Sequence, residues 1–229
     1  MGATTRTSRD QLLLTLMASS AVSLGFLLVR ILATQTWTYW FLAWNLALAW
    51  LPLAFAWWLL ARLGKTRWHH WTNLLLTVLW LAFLPNAFYI ASDMIHLRAT
   101  GDISLLYDVT MFISFMFNGF ILGYVSLYGI HARLRQTLGR NVAHFLAGLV
   151  LLLCSFAIYL GRYLRWNSWD IILNPFGLIF DVSEPFVNPS SHPQVFTTTL
   201  MFFALLTSIY AVGYQLVRLA RQNSHEARR

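Results

Sequence analysis

Charge is what this sequence has least of. Only 10% of its 229 residues are Asp, Glu, Lys or Arg, against about 25% in an ordinary soluble domain. With 58% hydrophobic residues, the chain lacks the polar surface a soluble globule needs, so an integral membrane protein is indicated. Cysteine is scarcer still: Cys154 stands alone in an apolar run. That excludes an internal disulfide, leaves the redox compartment unreadable, and points to a small core residue. Catalytic signatures are missing too. No GxSxG, HExxH or GxxxxGK[ST] occurs, which removes the common nucleophile-elbow, zinc-protease and phosphate-loop readings. Internal repeats and low-complexity linkers are also absent by eye, so residues 1–229 read as a single membrane domain.

What is present is long apolar runs. Six are near the roughly 20 residues that cross a bilayer: 12–32, 38–60, 71–91, 109–130, 142–162 and 195–216. The expected fold is therefore all-α and polytopic, with six transmembrane helices. The first run follows Arg6 and Arg9 in the charge-then-apolar order of a signal peptide. It is longer than a signal core and lacks a small-x-small cleavage site, so it reads as an uncleaved span. Arg6 also breaks the myristoylation pattern.

The formal charge of +8 would suggest nucleic acid in a soluble protein. Here the basic residues flank spans instead. Arg6, Arg9, Arg62, Lys65, Arg67, Arg133, Arg135, Arg140, Arg218, Arg221, Arg228 and Arg229 fall on one side. Asp93, Asp102, Asp108, Asp170, Asp181 and Glu184 fall on the other. The positive-inside rule then places both termini in the cytoplasm, in the cell membrane, with the lipid bilayer as partner and no nucleic acid. Trp37, Trp40, Trp166 and Trp169 mark the outer interface, and Trp57, Trp58, Trp68 and Trp71 the inner one. Stacking on a ligand is the alternative reading of Trp166 and Trp169. Gly119 and Gly123, in GFILG, predict close helix packing. Pro52 and Pro85 predict kinks. The stretch 165–193 holds apolar runs too short to span, and reads as an interfacial or re-entrant segment over the outer face between helices five and six.

One stripe breaks the apolar pattern. In LPNAFYIASDMIHL (84–97), Asn86, Tyr89, Asp93 and His96 follow spacings of 3, 4 and 3. At about 100° per residue they share an arc of roughly 80°. Counting inward from the span ends puts Asp93, His96, Asp108, Arg162 and Arg165 at one outer depth, where charges pair or face a wet cavity. YLGRYLRWNSWD (159–170) adds Tyr159 three residues before Arg162 on one side of span five, with Asp170 just outside. Arg162 offers a planar donor fork to a carboxylate or phosphate. Asn86, Tyr89, Asp93, His96, Asp108, Tyr159, Arg162, Arg165 and Asp170 are thus the candidate polar site, and Arg162 is expected to pair with Asp93, Asp108 or both.

These two stretches resemble the signature segments of the DUF1361 family of multi-pass membrane proteins, over roughly residues 40–215. The resemblance implies a polytopic membrane fold. The family has no known function, so it supplies no catalytic residues and no cofactor.

Three functional classes follow from the residues. One is an outer-leaflet protein that binds or modifies an anionic lipid or lipid-linked group, with Arg162 and Arg165 on the phosphate and Asp93 or His96 as acid or base. Another is a transporter, against which polar residues thin out toward the cytoplasmic halves of spans three and five while Asn118 and Ser126 continue inward in span four. The third is a scaffold for a membrane complex, with the polar groups as a structural network. Asp93 and His96, completed by Asp108 or Asp170, are weak metal-ligand candidates. His69, His70, His131 and His144 read as solvated on the basic side, and Ser92 and Ser155 lack an evident base.

Overall fold

A computed structural model describes residues 8–99, 103–166, 173–188 and 191–226. Among these the chain is helical and no strand occurs. Lipid cannot hydrogen-bond a peptide group, so a run of apolar residues must satisfy its own backbone, and a helix does so residue by residue. The helices are α1 (Ser8–Thr34), α2 (Phe41–Leu63), α3 (Trp71–Tyr89), α4 (Leu105–Leu138), α5 (Arg140–Tyr163), α6 (Pro175–Val187) and α7 (Pro193–Glu226). A 3₁₀ segment, Ile90–His96, prolongs α3. Six of the described helical stretches are long and apolar enough to cross a membrane, at the six places the hydropathy pattern predicts. At 34 residues, α4 is about 50 Å long, more than the roughly 30 Å of hydrocarbon, so its ends project beyond it.

The helix α4 packs against α1, α2, α3 and α5. Gly119 and Gly123 make its crossing with α3 possible. A Cβ on Gly119 would collide with the Ala87 carbonyl, and one on Gly123 would lie 2.8 Å from the Phe88 ring. Polar side chains bind the outer helices to this centre, as is common in lipid. Asn118 Nδ2 donates to Ser23 Oγ (2.8 Å) and ties α1. Tyr124 donates to the Leu206 carbonyl (2.9 Å) and ties α7.

Longer-range polar contacts gather at two ends of the bundle. Near both termini, Arg9 lies over Trp57 at 4.6 Å, Arg133 donates to the Leu63 carbonyl, and Arg135 donates to the Tyr214 hydroxyl. The opposite, distal end carries the acids of α3 and α4. One expectation fails at the proximal end. His131 is not solvated but 2% exposed, because α7 covers it: Nδ1 lies 2.7 Å from the Tyr210 hydroxyl and Nε2 2.7 Å from His144 Nδ1.

Among the described residues between α5 and α7 no helix is long enough to span. The 13 residues of α6 are about 20 Å long, too short to cross. Pro175 opens this helix behind Asn174, whose side chain accepts from the Gly177 N–H (3.1 Å). Phe176 and Phe180 are exposed, and Trp166 Nε1 donates to Asp181 Oδ2 (2.8 Å), tying α6 to the end of α5.

Candidate functional site

The stripe on α3 faces α2 and α5 at the distal end. From Ile90 the helix tightens to three residues per turn, so Ile90, Asp93 and His96 stand above one another. Asp93 and His96 keep the face that Asn86 and Tyr89 occupy one to two turns away, although the winding tightens between them. All four line one cavity of about 350 Å³, within the range of small-ligand sites.

Arg162 organises the cavity. Its NH2 donates to Asp93 Oδ1 at 2.6 Å. Nε and NH2 both donate to Ser92 Oγ, at 3.1 and 2.7 Å. NH1 lies 2.8 Å from His96 Nε2. A guanidinium only donates, so this nitrogen accepts and the ring carries its proton on Nδ1. The plane of Arg162 sits 4.5 Å from the centre of the Tyr89 ring, a desolvated cation–π contact. Gly161 makes room for it, since a Cβ there would lie 2.8 Å from the Tyr89 ring. Tyr89 in turn donates to the Gly161 carbonyl (3.3 Å). Four of the five N–H groups of Arg162 thus have partners among the described residues.

Asp93 is 2% exposed and Arg162 13% exposed. The second oxygen of Asp93 accepts from Asn45 Nδ2 at 2.7 Å, so the carboxylate is held on both sides. Asn45 is a residue that reasoning from the sequence missed. Its signal is a lone amide in the second apolar run, and a polar group at such a depth calls for a partner.

The cavity has a charged mouth and an apolar interior. Toward the mouth, a recess of about 470 Å³ is lined by His96, Arg98, Arg162 and Arg165. Arg98 and Arg165 are exposed there. Arg165 adopts a left-handed backbone (φ 60°) where the chain leaves α5, and the next N–H, of Trp166, returns to the Leu160 carbonyl (3.2 Å). That turn sets Trp166 against the cavity. Deeper down, Leu48 of α2, Ala82 and Pro85 of α3, and Ala157 and Leu160 of α5 form the wall. Ala82 and Tyr89 are separated by roughly 10 Å of helix, and the Asn86 amide, which donates to the Phe83 carbonyl (3.1 Å), interrupts this wall between them.

Two candidate residues are placed elsewhere, and a third is not among the described residues. Asp108 is not a partner of Arg162. Its carboxylate takes a two-point bond from Arg30 of α1, Nε to Oδ1 at 2.7 Å and NH2 to Oδ2 at 3.3 Å. Both side chains are 1% exposed, and Arg30 also stacks 4.2 Å from the Tyr39 ring centre. Counting along the spans gives Asp108 and Arg162 one expected depth, but Asp108 pairs with Arg30 of α1 and Arg162 with Asp93 beyond α3. Tyr159 is buried and stacks on Tyr163 at 5.1 Å, outside the cavity lining. The cavity wall on α5 is the Ala157–Leu160–Gly161 face, and Arg162 reaches it only through its long side chain. Asp170, with Trp169 and Asp102, lies outside the described residues.

The arrangement constrains the chemistry. The Arg162 guanidinium stands where an ion bridging Asp93 and His96 would sit, and Asp108 is engaged elsewhere. Among the described residues no group of three or more His, Cys, Asp or Glu gathers as a metal set. Ser92 spends its proton on the Tyr89 carbonyl (2.6 Å) and has no base beside it. What the site offers is an oriented cation, two further arginines at the mouth, and an apolar trough behind them.

Neither a curated protein nor a solved structure matches the chain. The family described as "Protein of unknown function (DUF1361)" matches residues 44–223, which include Asn45, Asp93, Arg162 and the cavity wall but leave α1 and Arg30 outside. With that match over most of its length, the chain belongs to the DUF1361 family.

Proposed function

We propose that the distal cavity binds an amphiphile, an anionic lipid or lipid-linked group. Its head lies against Arg98, Arg162 and Arg165 and its apolar tail runs between α2, α3 and α5. The observation that carries this reading is the polarity of one cavity: cations at the mouth, and in the depth aliphatic and small side chains broken only by the amides of Asn45 and Asn86. A soluble anion would need no trough, and a neutral lipid no guanidinium. The basic asymmetry of the loops puts the proximal end in the cytoplasm, so the mouth opens at the outer leaflet of the cell membrane. The exposed Phe176 and Phe180 of α6 suit a helix lying at that surface. Binding, rather than turnover, is the reading the side chains favour, because the oxygens of Asp93 and Ser92 and the Nε2 of His96 are engaged. The residues 1–229 act as one membrane domain built around this cavity.

The test is a titration of the purified chain in neutral detergent with phosphatidylglycerol, phosphatidylcholine and water-soluble glycerol phosphate, read by native mass spectrometry. The phosphatidylglycerol should bind at least tenfold more tightly than either of the others. Arg162→Lys should remove about tenfold of that affinity, because Lys keeps the charge but not the fork. Equal binding of the two phospholipids, or an unchanged affinity in Arg162→Lys, would sink the proposal.

A further inference from the structure

Trp44 stands between two recesses. On one side lies the cavity already described. On the other, α1 and α2 leave a groove of about 360 Å³, closely matched to the cavity's 350 Å³. The groove is formed by Leu27 and Ile31 of α1 and by Trp40, Ala43 and Ala47 of α2, with Trp37 at its upper edge. Its lining is entirely aliphatic or aromatic. Two adjacent stripes of α2 create the pair of recesses: Phe41, Trp44, Asn45 and Leu48 face the cavity, while Trp40, Ala43, Trp44 and Ala47 face the groove. Both have helical spacing, and Trp44, half exposed, is the ridge they share.

The ridge lies directly beside the charged mouth. The Phe41 ring packs edge-on to His96 with centres 5.4 Å apart, and His96 accepts from Arg162. A headgroup held there is one turn of helix above Trp44. We infer that the ligand is a two-chain phospholipid that straddles α2, with one acyl chain in the cavity and the other over the Phe41–Trp44 crest in the groove between α1 and α2. This rests on the lipid reading above and specifies its ligand class.

An acyl chain is as well solvated by other lipid tails as by an apolar groove, so the hydrophobic effect alone recruits nothing to it. Contact with three indoles adds dispersion attraction. Capture of the headgroup adds a tether, which raises the local concentration of the second chain. Groove occupancy therefore follows the headgroup, and that dependence separates a straddling ligand from ordinary annular lipid.

The experiment uses the full chain in mixed micelles with phosphatidylglycerol carrying a photoreactive diazirine midway along both chains. A phosphatidylcholine with the same chains and a one-chain lysophosphatidylglycerol serve as comparisons. Adducts are mapped to the cavity side (Ala82, Ala157) and the groove side (Leu27, Ile31). Both sets should be at least fivefold stronger with phosphatidylglycerol than with phosphatidylcholine, and both should fall together in Arg162→Lys. Ala47→Trp, which fills the groove from an exposed position, should lower two-chain affinity about threefold relative to one-chain affinity. If cavity adducts depend on the headgroup while groove adducts ignore both headgroup and Arg162, the straddling inference falls and the lipid site survives. A two-chain to one-chain affinity ratio unchanged by Ala47→Trp also overturns the inference alone. If neither set depends on the headgroup, the lipid site falls with it.

Discussion

The ion pair between Arg30 and Asp108 allows a quantitative test of which charges meet. Each side chain is 1% exposed, so removing one leaves the other in a low-dielectric interior without its counter-charge. Stranding a buried charge in this way costs about 3–5 kcal/mol. Additivity would make the double substitution cost about 6–10 kcal/mol. A pair in contact behaves differently, since the second change removes the charge that the first had stranded. The double variant should then cost no more than the worse single, with a coupling energy of at least about 2–3 kcal/mol. Suitable changes are Arg30→Met, which retains an unbranched chain over the Tyr39 ring, and Asp108→Ala. Unfolding free energy is measured by denaturing-detergent titration from a mild micelle. A control cycle pairs Asp108→Ala with Arg162→Met, two charges that have separate partners. Its coupling should stay under about 0.5 kcal/mol. Additivity in the first cycle, or strong coupling in the second, would refute the pairing and restore the expectation drawn from depth alone.

With Cys154 replaced by Ala, a Cys at Thr100 should react with an impermeant maleimide in intact cells and one at Thr66 should not; the reverse pattern would invert the proposed orientation. Gly119→Ala should destabilise by about 1–3 kcal/mol, because its Cβ meets the Ala87 backbone. Gly148→Ala, with nothing within 4 Å, should be neutral or stabilise by up to about 1 kcal/mol in the same detergent titration. Equal effects at the two glycines would disprove the close α3–α4 crossing. Tyr210→Phe leaves His131 Nδ1 without its partner in a buried setting and should cost about 1–3 kcal/mol. A wild-type stability would mean that α7 is not held there.

The sequence by itself determined the class, the number and positions of the helices long and apolar enough to span, and the depth expected of each polar residue. These are local properties. Hydropathy is summed over neighbours along the chain, and depth is a count of residues from the interface. The stripe Asn86, Tyr89, Asp93 and His96 was legible for the same reason, since residues of one helix carry their relative angle with them. The tertiary structure decided everything that depends on the rotation of one helix against another. Asp108 and Arg162 count to one level along the chain, yet Asp108 turns to Arg30 and Arg162 to Asp93. Tyr159 precedes Arg162 by less than a turn and still falls outside the cavity. His131 belongs by charge context to a solvated loop, and becomes buried because α7, 79 residues further on, covers it. Asn45 enters the site only because α2 packs beside the end of α3. A side chain's depth is written in its own segment. Its azimuth has meaning only once neighbouring helices are in place, and that arrangement is set by non-local contacts such as Gly119 against Ala87.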